Sequence, residues 1–205
     1  MKDELVPFNE HGKATDLAES ITLANIEDAN DCFNRAYKRM LNPPLWHKLC
    51  GNLSASFILA DKAGNEVHRL ATEGDKIKID IPGPGNAVGE GFDWVTVTKI
   101  RYMGDAETAE EQIGMSLQTM SALEGNTNKA AHFFKSGASS TFIIKREGLK
   151  VTASYFGRNE VPNIQTGDVV NNIRNAVIAV GAIAGLSELQ WHSLIKSFLE
   201  AEIGG

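Results

Sequence analysis

Cysteine is scarce in this chain, with only Cys32 and Cys50 in 205 residues. No C-x-x-C spacing relates them, which excludes a disulfide framework and a thiol-based zinc site, and both are expected as reduced thiols. Long apolar runs are also missing. The longest, Ala176 to Ala184, is about half of the roughly 20 residues a membrane span needs, so it reads as a buried helix. The opening Met1-Lys2-Asp3-Glu4-Leu5 has no apolar stretch after its lysine, and no secretory signal is read there. Its KDEL letters act as an address only at a C-terminus. These absences lead to the expectation of a cytoplasmic protein without membrane association.

Positive charge is not in excess either. The 20 basic residues face 26 acidic ones, a net charge of −6, which argues against a nucleic-acid partner. None of the five histidines forms H-x-H, H-E-x-x-H or a cysteine–histidine pair at zinc spacing. Neither a metal nor a cofactor is expected. Ser136, Ser139, Ser140 and Thr141 lie near His132, but no G-x-S-x-G elbow presents a nucleophile.

What remains is an ordinary globular balance, 42% apolar and 22% charged, in a chain long enough to bury a core unaided. The polar residues 1–20 read as a loose arm, and 21–205 as a single α+β domain with a possible β sub-domain over 53–121. From Asn25 the apolar residues Ile26, Ala29, Phe33, Ala36, Tyr37, Met40 and Leu41 recur at helical spacing. Asn25 is placed to cap, Glu27 and Asp28 suit the first turn, and Arg35, Lys38 and Arg39 suit the last. Asn42-Pro43-Pro44 ends the helix.

Residues 53–121 then switch to period two. Ile77, Ile79 and Ile81 alternate with Lys76, Lys78 and Asp80, and 92–101 reads as a long strand. Ser54–Ala60 and Glu66–Leu70 are read as a hairpin, and 105–111 as a solvated loop or one helical turn. Thr141–Arg146 and Leu149–Phe156 flank Glu147-Gly148 as a second hairpin, with Phe142 and Ile144 sharing one face of the first strand and Val151, Ala153 and Tyr155 one face of the second. Two helices close the chain. The first carries Val169, Val170, Ile173, Val177 and Val180 and packs closely at Gly181. The second opens at a Ser187–Gln190 capping box and turns Leu194, Ile195, Phe198 and Leu199 inward. The fold class expected is α+β: an N-terminal helix, a mainly antiparallel region of about seven or eight strands, and a C-terminal helical pair.

Candidate binding residues come from four places. Gly83 and Gly85 belong to Gly83-Pro-Gly-Asn-Ala-Val-Gly89. That loop has neither the spacing nor the following helix of a dinucleotide fingerprint, and no Walker lysine. It reads as a β–β connection that borders, with Trp94, the contact surface for a protein partner. Trp46 with His47, and Trp191 with His192, are aromatic-flanked positions. His132 is a possible member of a cleft. Arg158, Asn159 and Glu160 follow a strand expected to end at Gly157, either clasping a carboxylate or forming an Arg–Glu pair that ties down a loop.

Two resemblances accompany these readings. Glu73-Gly-Asp-Lys-Ile-Lys-Ile-Asp-Ile81 with Phe92-Asp-Trp-Val-Thr-Val97 resembles the strand pattern of small SH3-like barrels over 53–103, a resemblance that implies a binding module. Over 25–200, Asn42-Pro-Pro-Leu-Trp-His47, Ile81-Pro-Gly-Pro-Gly85, Ala131-His-Phe-Phe134, Gly157-Arg-Asn-Glu160 and Gly181-Ala-Ile-Ala-Gly185 resemble an uncharacterised family of bacterial proteins, which implies no catalytic residues. The function expected is a non-catalytic interaction or scaffold protein of the bacterial cytoplasm, with a protein partner or a second copy of itself. The alternative is a small-molecule-binding or hydrolytic protein using a cleft near His132, Arg158 and Glu160.

Overall fold

A computed structural model describes residues 5–50, 55–80, 92–104, 110–119, 137–161 and 188–201. Among them the elements run β1 (Lys13–Thr22), α1 (Ile26–Met40), a 3-10 turn (Pro43–Leu45), α2 (Trp46–Cys50), β2 (Ser56–Ala60), β3 (Lys76–Asp80), β4 (Phe92–Gly104), β5 (Glu110–Thr119), β6 (Ser139–Glu147) and β7 (Lys150–Glu160). A last helix, α3, covers 188–199. Gly83, Gly85, His132, Gly181, Ser187 and the expected helix through Val169 to Val180 lie outside the described residues.

The α+β class holds, with a seven-stranded sheet in the order β1-β7-β6-β5-β4-β3-β2 and every pair antiparallel. Strands β2 to β4, the stretch resembling an SH3-like barrel, form one edge of this open sheet. The expected partner of β2 is also different. It pairs with β3, Leu59 opposite Ile77, and residues 66–70 contribute only an isolated bridge from Glu66 to Ala60. Asp75 accounts for the intervening loop: its carboxylate accepts from Arg69 Nη2 (2.9 Å) and from the Thr72 amide (2.8 Å). Those bonds occupy the loop's polar groups and leave β3 as the available edge for β2.

Residues 13–20, read as part of the loose arm, belong to β1, which pairs with β7 from Lys13–Glu160 to Thr22–Lys150. The β6–β7 hairpin forms as expected, closed at Gly148 with φ 59°. Its second strand, however, continues three residues past Gly157 and takes in Arg158, Asn159 and Glu160.

Helix α1 starts where the sequence says it should. Asn25 Oδ1 accepts from the Asp28 amide at 2.9 Å, and Ala29, Cys32, Phe33, Ala36 and Met40 are buried. This face and the Leu194, Ile195 and Phe198 face of α3 cover one side of the sheet. There they meet Phe57, Leu59, Ile77, Val97, Met115, Leu117, Phe142, Ile144, Val151, Ala153 and Tyr155. No helix among the described residues is long and apolar enough to cross a membrane.

Candidate functional site

On the helix-covered side, six rings form one cluster: Trp46, Phe57, Phe142, Tyr155, Trp191 and Phe198. Trp46 lies 5.1 Å from Phe57 and 5.2 Å from Phe142, centroid to centroid, and Trp191 lies 5.6 Å from Phe142. Trp191 stacks on Tyr155 at 5.2 Å and 18°. Tilted and edge-on contacts dominate the rest, the arrangement aromatic quadrupoles prefer. Trp46, expected as a binding residue, is a core member: it is 1% exposed and its indole N–H donates to Arg39 O at 3.0 Å. His47 lies beside it on α2, partly buried.

A polar cluster meets these rings through the Tyr155 hydroxyl, at the end of β7. Its geometry starts with Asn159, the one described non-glycine residue with positive φ, at 56°. A left-handed residue inside a strand breaks the strict alternation of side chains. The side chain of Glu160 therefore turns to the helix-covered side, where its parity with Phe156 and Arg158 would not have put it. Gly157 makes room for it: a Cβ built there would collide with Glu160 Oε1. The carboxylate accepts from Thr15 Oγ1 at 3.0 Å and from the Tyr155 hydroxyl at 3.2 Å, and the latter hydroxyl also bonds Ser140 Oγ at 3.1 Å.

The Asn159 conformation is fixed by the segment preceding β1. Asn159 Oδ1 accepts from the amides of Glu10 (2.8 Å) and His11 (3.3 Å), and its own amide donates to Asn9 Oδ1 (2.8 Å). Burial, and after it the charge of Glu160, push the Tyr155 phenol far above its ordinary pKa. Tyr155 therefore stays a neutral hydroxyl and donates to Glu160.

Arg158 and Glu160 do not form a pair and do not share a cleft. Arg158 lies on the opposite face, over the Phe156 ring (5.6 Å), with Nη2 2.6 Å from Asp16 and Nη1 donating to Thr15 O at 3.2 Å. One side chain of the expected constellation thus lies on the helix-covered side and one on the other face, while Asn159 makes the turn between them and holds the amides of Glu10 and His11 with its side chain. Trp94 is partly buried and opposite Lys78. Its alternation with Val95 places it on the side away from the helices, where it is not core. His192 is an exposed rim residue whose Nε2 meets Glu19 Oε1 at 2.8 Å.

Thr15 and the site role of Tyr155 are invisible in the sequence. Thr15 lies in a polar stretch with no strand signature, and Tyr155 reads only as a core position. The signal for Glu160 was present in the pair Gly157 and Asn159. These are a residue without a side chain and a residue tolerant of the left-handed region, spaced to fold a carboxylate back. Among the described residues no group of three or more His, Cys, Asp or Glu is placed to hold a metal ion.

No protein-family model and no curated protein matches this chain. Solved structures with a likeness in fold include an uncharacterised protein from Bacillus thuringiensis, 11% identical, covering 92% of this chain and 100% of its own, with a TM-score of 0.40. Protein Ms6760 from Mycobacterium smegmatis is 13% identical over 96% of this chain and 98% of its own, with a TM-score of 0.40. The ginseng major latex-like protein 151 from Panax ginseng is 9% identical over 89% and 99%, with a TM-score of 0.34. Likeness at this level assigns no function, which has to be argued from the site.

Proposed function

We propose that the protein is a non-catalytic binder of a small, largely apolar molecule, seated against the aromatic cluster with its polar end at Tyr155, Ser140 and Glu160. The observation that carries this is a buried carboxylate–hydroxyl cluster joined to six packed rings through the Tyr155 hydroxyl. An apolar wall with a few placed polar groups is the usual composition of a small-molecule site. A core built only for stability gains nothing from turning a carboxylate inward at a glycine, because burying that charge is unfavourable. Ser140 and Trp191 remain partly exposed while Tyr155 is sealed at 1%, so the cluster is approached from their side.

Hydrolysis is disfavoured by the same bonds. A serine nucleophile needs a neighbour that takes its proton, and the group bonded to Ser140 is a phenol held protonated by burial.

Titration with the neutral dye Nile red, read by its own fluorescence and by tryptophan quenching, tests the reading. Saturable binding of one dye per chain is expected, weakened roughly tenfold in a folded Trp191→Ala variant, which loses most of a ring's contact area. Absence of saturable binding to the wild type, or no effect of the substitution, overturns it.

A further inference from the structure

The ligand's polar end can be specified further from the electrostatics around Glu160; this rests on the binding reading above. Glu160 is 9% exposed and accepts from two neutral hydroxyls. Among the described residues no cation lies within ion-pair distance of it. The obvious candidates are directed elsewhere. Lys13, its register partner on β1, sends Nζ to Glu188 Oε2 at 2.6 Å. Arg158, two residues away, is committed to Asp16 on the other face. His192 is held by Glu19. Two hydroxyl donors leave part of a carboxylate's acceptor capacity unused.

We infer that the site takes a ligand with a protonated amine, whose ammonium meets the free lone pairs of Glu160 while its apolar or aromatic body lies on Trp191 and the rings behind it. Three kinds of complementarity coincide there. The carboxylate supplies a charge-assisted hydrogen bond. The partly exposed Trp191 supplies an aromatic ring, and such rings attract cations. The excluded-water setting of Tyr155 strengthens both interactions relative to bulk solvent. An anionic ligand of the same shape meets a like charge with no counter-ion and is rejected.

Tryptamine and indole-3-propionate share a ring system and carry opposite charges, so the pair isolates the inference. Both are titrated directly by calorimetry and as competitors of Nile red. Tryptamine is expected to bind at least about tenfold more tightly than indole-3-propionate, the range of one charge-assisted hydrogen bond. Glu160→Gln is expected to remove that preference, since the amide keeps the shape and one acceptor oxygen, with its NH2 turned to the other hydroxyl, but not the charge. Equal binding of the two indoles, tighter binding of the carboxylate, or a preference that survives Glu160→Gln overturns the amine assignment, while saturable Nile red binding leaves the parent reading standing. If neither Nile red nor either indole binds, both readings fall together.

Discussion

At Asn159 one backbone angle decides which way a carboxylate points. Its φ of 56° lies where a Cβ meets the following carbonyl, a conformation asparagine tolerates better than other residues with side chains. The surrounding bonds hold it there: two amides of the preceding segment on Oδ1, and its own amide on Asn9. Conformational strain and hydrogen bonding can be separated with two substitutions. Asn159→Gly keeps the left-handed region open and loses the side-chain bonds, at about 1–2 kcal/mol. Asn159→Ala loses the same bonds and adds the strain, so it should be less stable than the glycine variant by about 1–2 kcal/mol more. Urea denaturation of the three proteins measures both differences. If alanine and glycine are equally tolerated, the left-handed turn is not what positions Glu160.

At the scale of elements, α1 and α3 are tied by charge as well as by apolar packing. Helices end with carbonyls that have no partner of their own. Here the end of α3 is met by α1: Arg39 Nη1 donates to Ser197 O at 2.9 Å and to Glu200 O at 2.6 Å, and Arg35 Nε donates to Glu200 O at 3.1 Å. Burial and the charge of Arg35 lower the Arg39 pKa, in that order, yet a guanidinium stays charged at any ordinary pH. Arg39→Ala should therefore cost about 2–3 kcal/mol, the range for losing hydrogen bonds to a charged group, read as a lowered urea midpoint with unchanged slope. The sequence places basic residues in this last turn and gives a helix dipole as the reason, but it does not show that a second helix needs them. The same division runs through the other elements. Helix α1, the β6–β7 hairpin and the inward face of α3 were legible because each has one wet and one dry side, which writes a period into the sequence. Strand β1 was not. It is a sheet edge, its residues are mostly exposed, and Lys13-Ala-Thr-Asp-Leu-Ala-Glu-Ser carries no apolar alternation. Strand β2 was legible as a strand but its partner was not, because pairing follows from the Asp75–Arg69 loop. The candidate site was legible only as the cluster Arg158, Asn159 and Glu160, since the faces they occupy depend on one non-standard φ.

At the scale of the whole molecule, segments from early and late in the chain cover the two faces of the same sheet. Helix α3 covers one face, and on the other Leu5, 4% exposed, is anchored by its carbonyl, which accepts from Ser116 Oγ at 2.9 Å and Thr141 Oγ1 at 3.2 Å. Leu5 is therefore not part of a free arm, and the contact joins residues far apart in sequence. Gly114 on β5 makes the contact possible, since a Cβ there would come within 2.5 Å of Leu5 Cδ1. A glycine inside a strand is ordinarily a weakness, and replacing it with alanine is expected to stabilise by about 0.5–1 kcal/mol. Here the sign should reverse. Gly114→Ala forces the Leu5 side chain to move and should destabilise by about 1–2 kcal/mol through overpacking. Leu5→Ala alone should cost about 2–3 kcal/mol for the buried side chain it removes. In the Leu5→Ala background the obstructing methyl is gone, and adding Gly114→Ala should be neutral or stabilising, so the two substitutions are strongly non-additive. A double-mutant cycle from urea denaturation measures the coupling. Additive effects would mean that Leu5 does not rest on Gly114, and that the glycine is kept in β5 for some other reason.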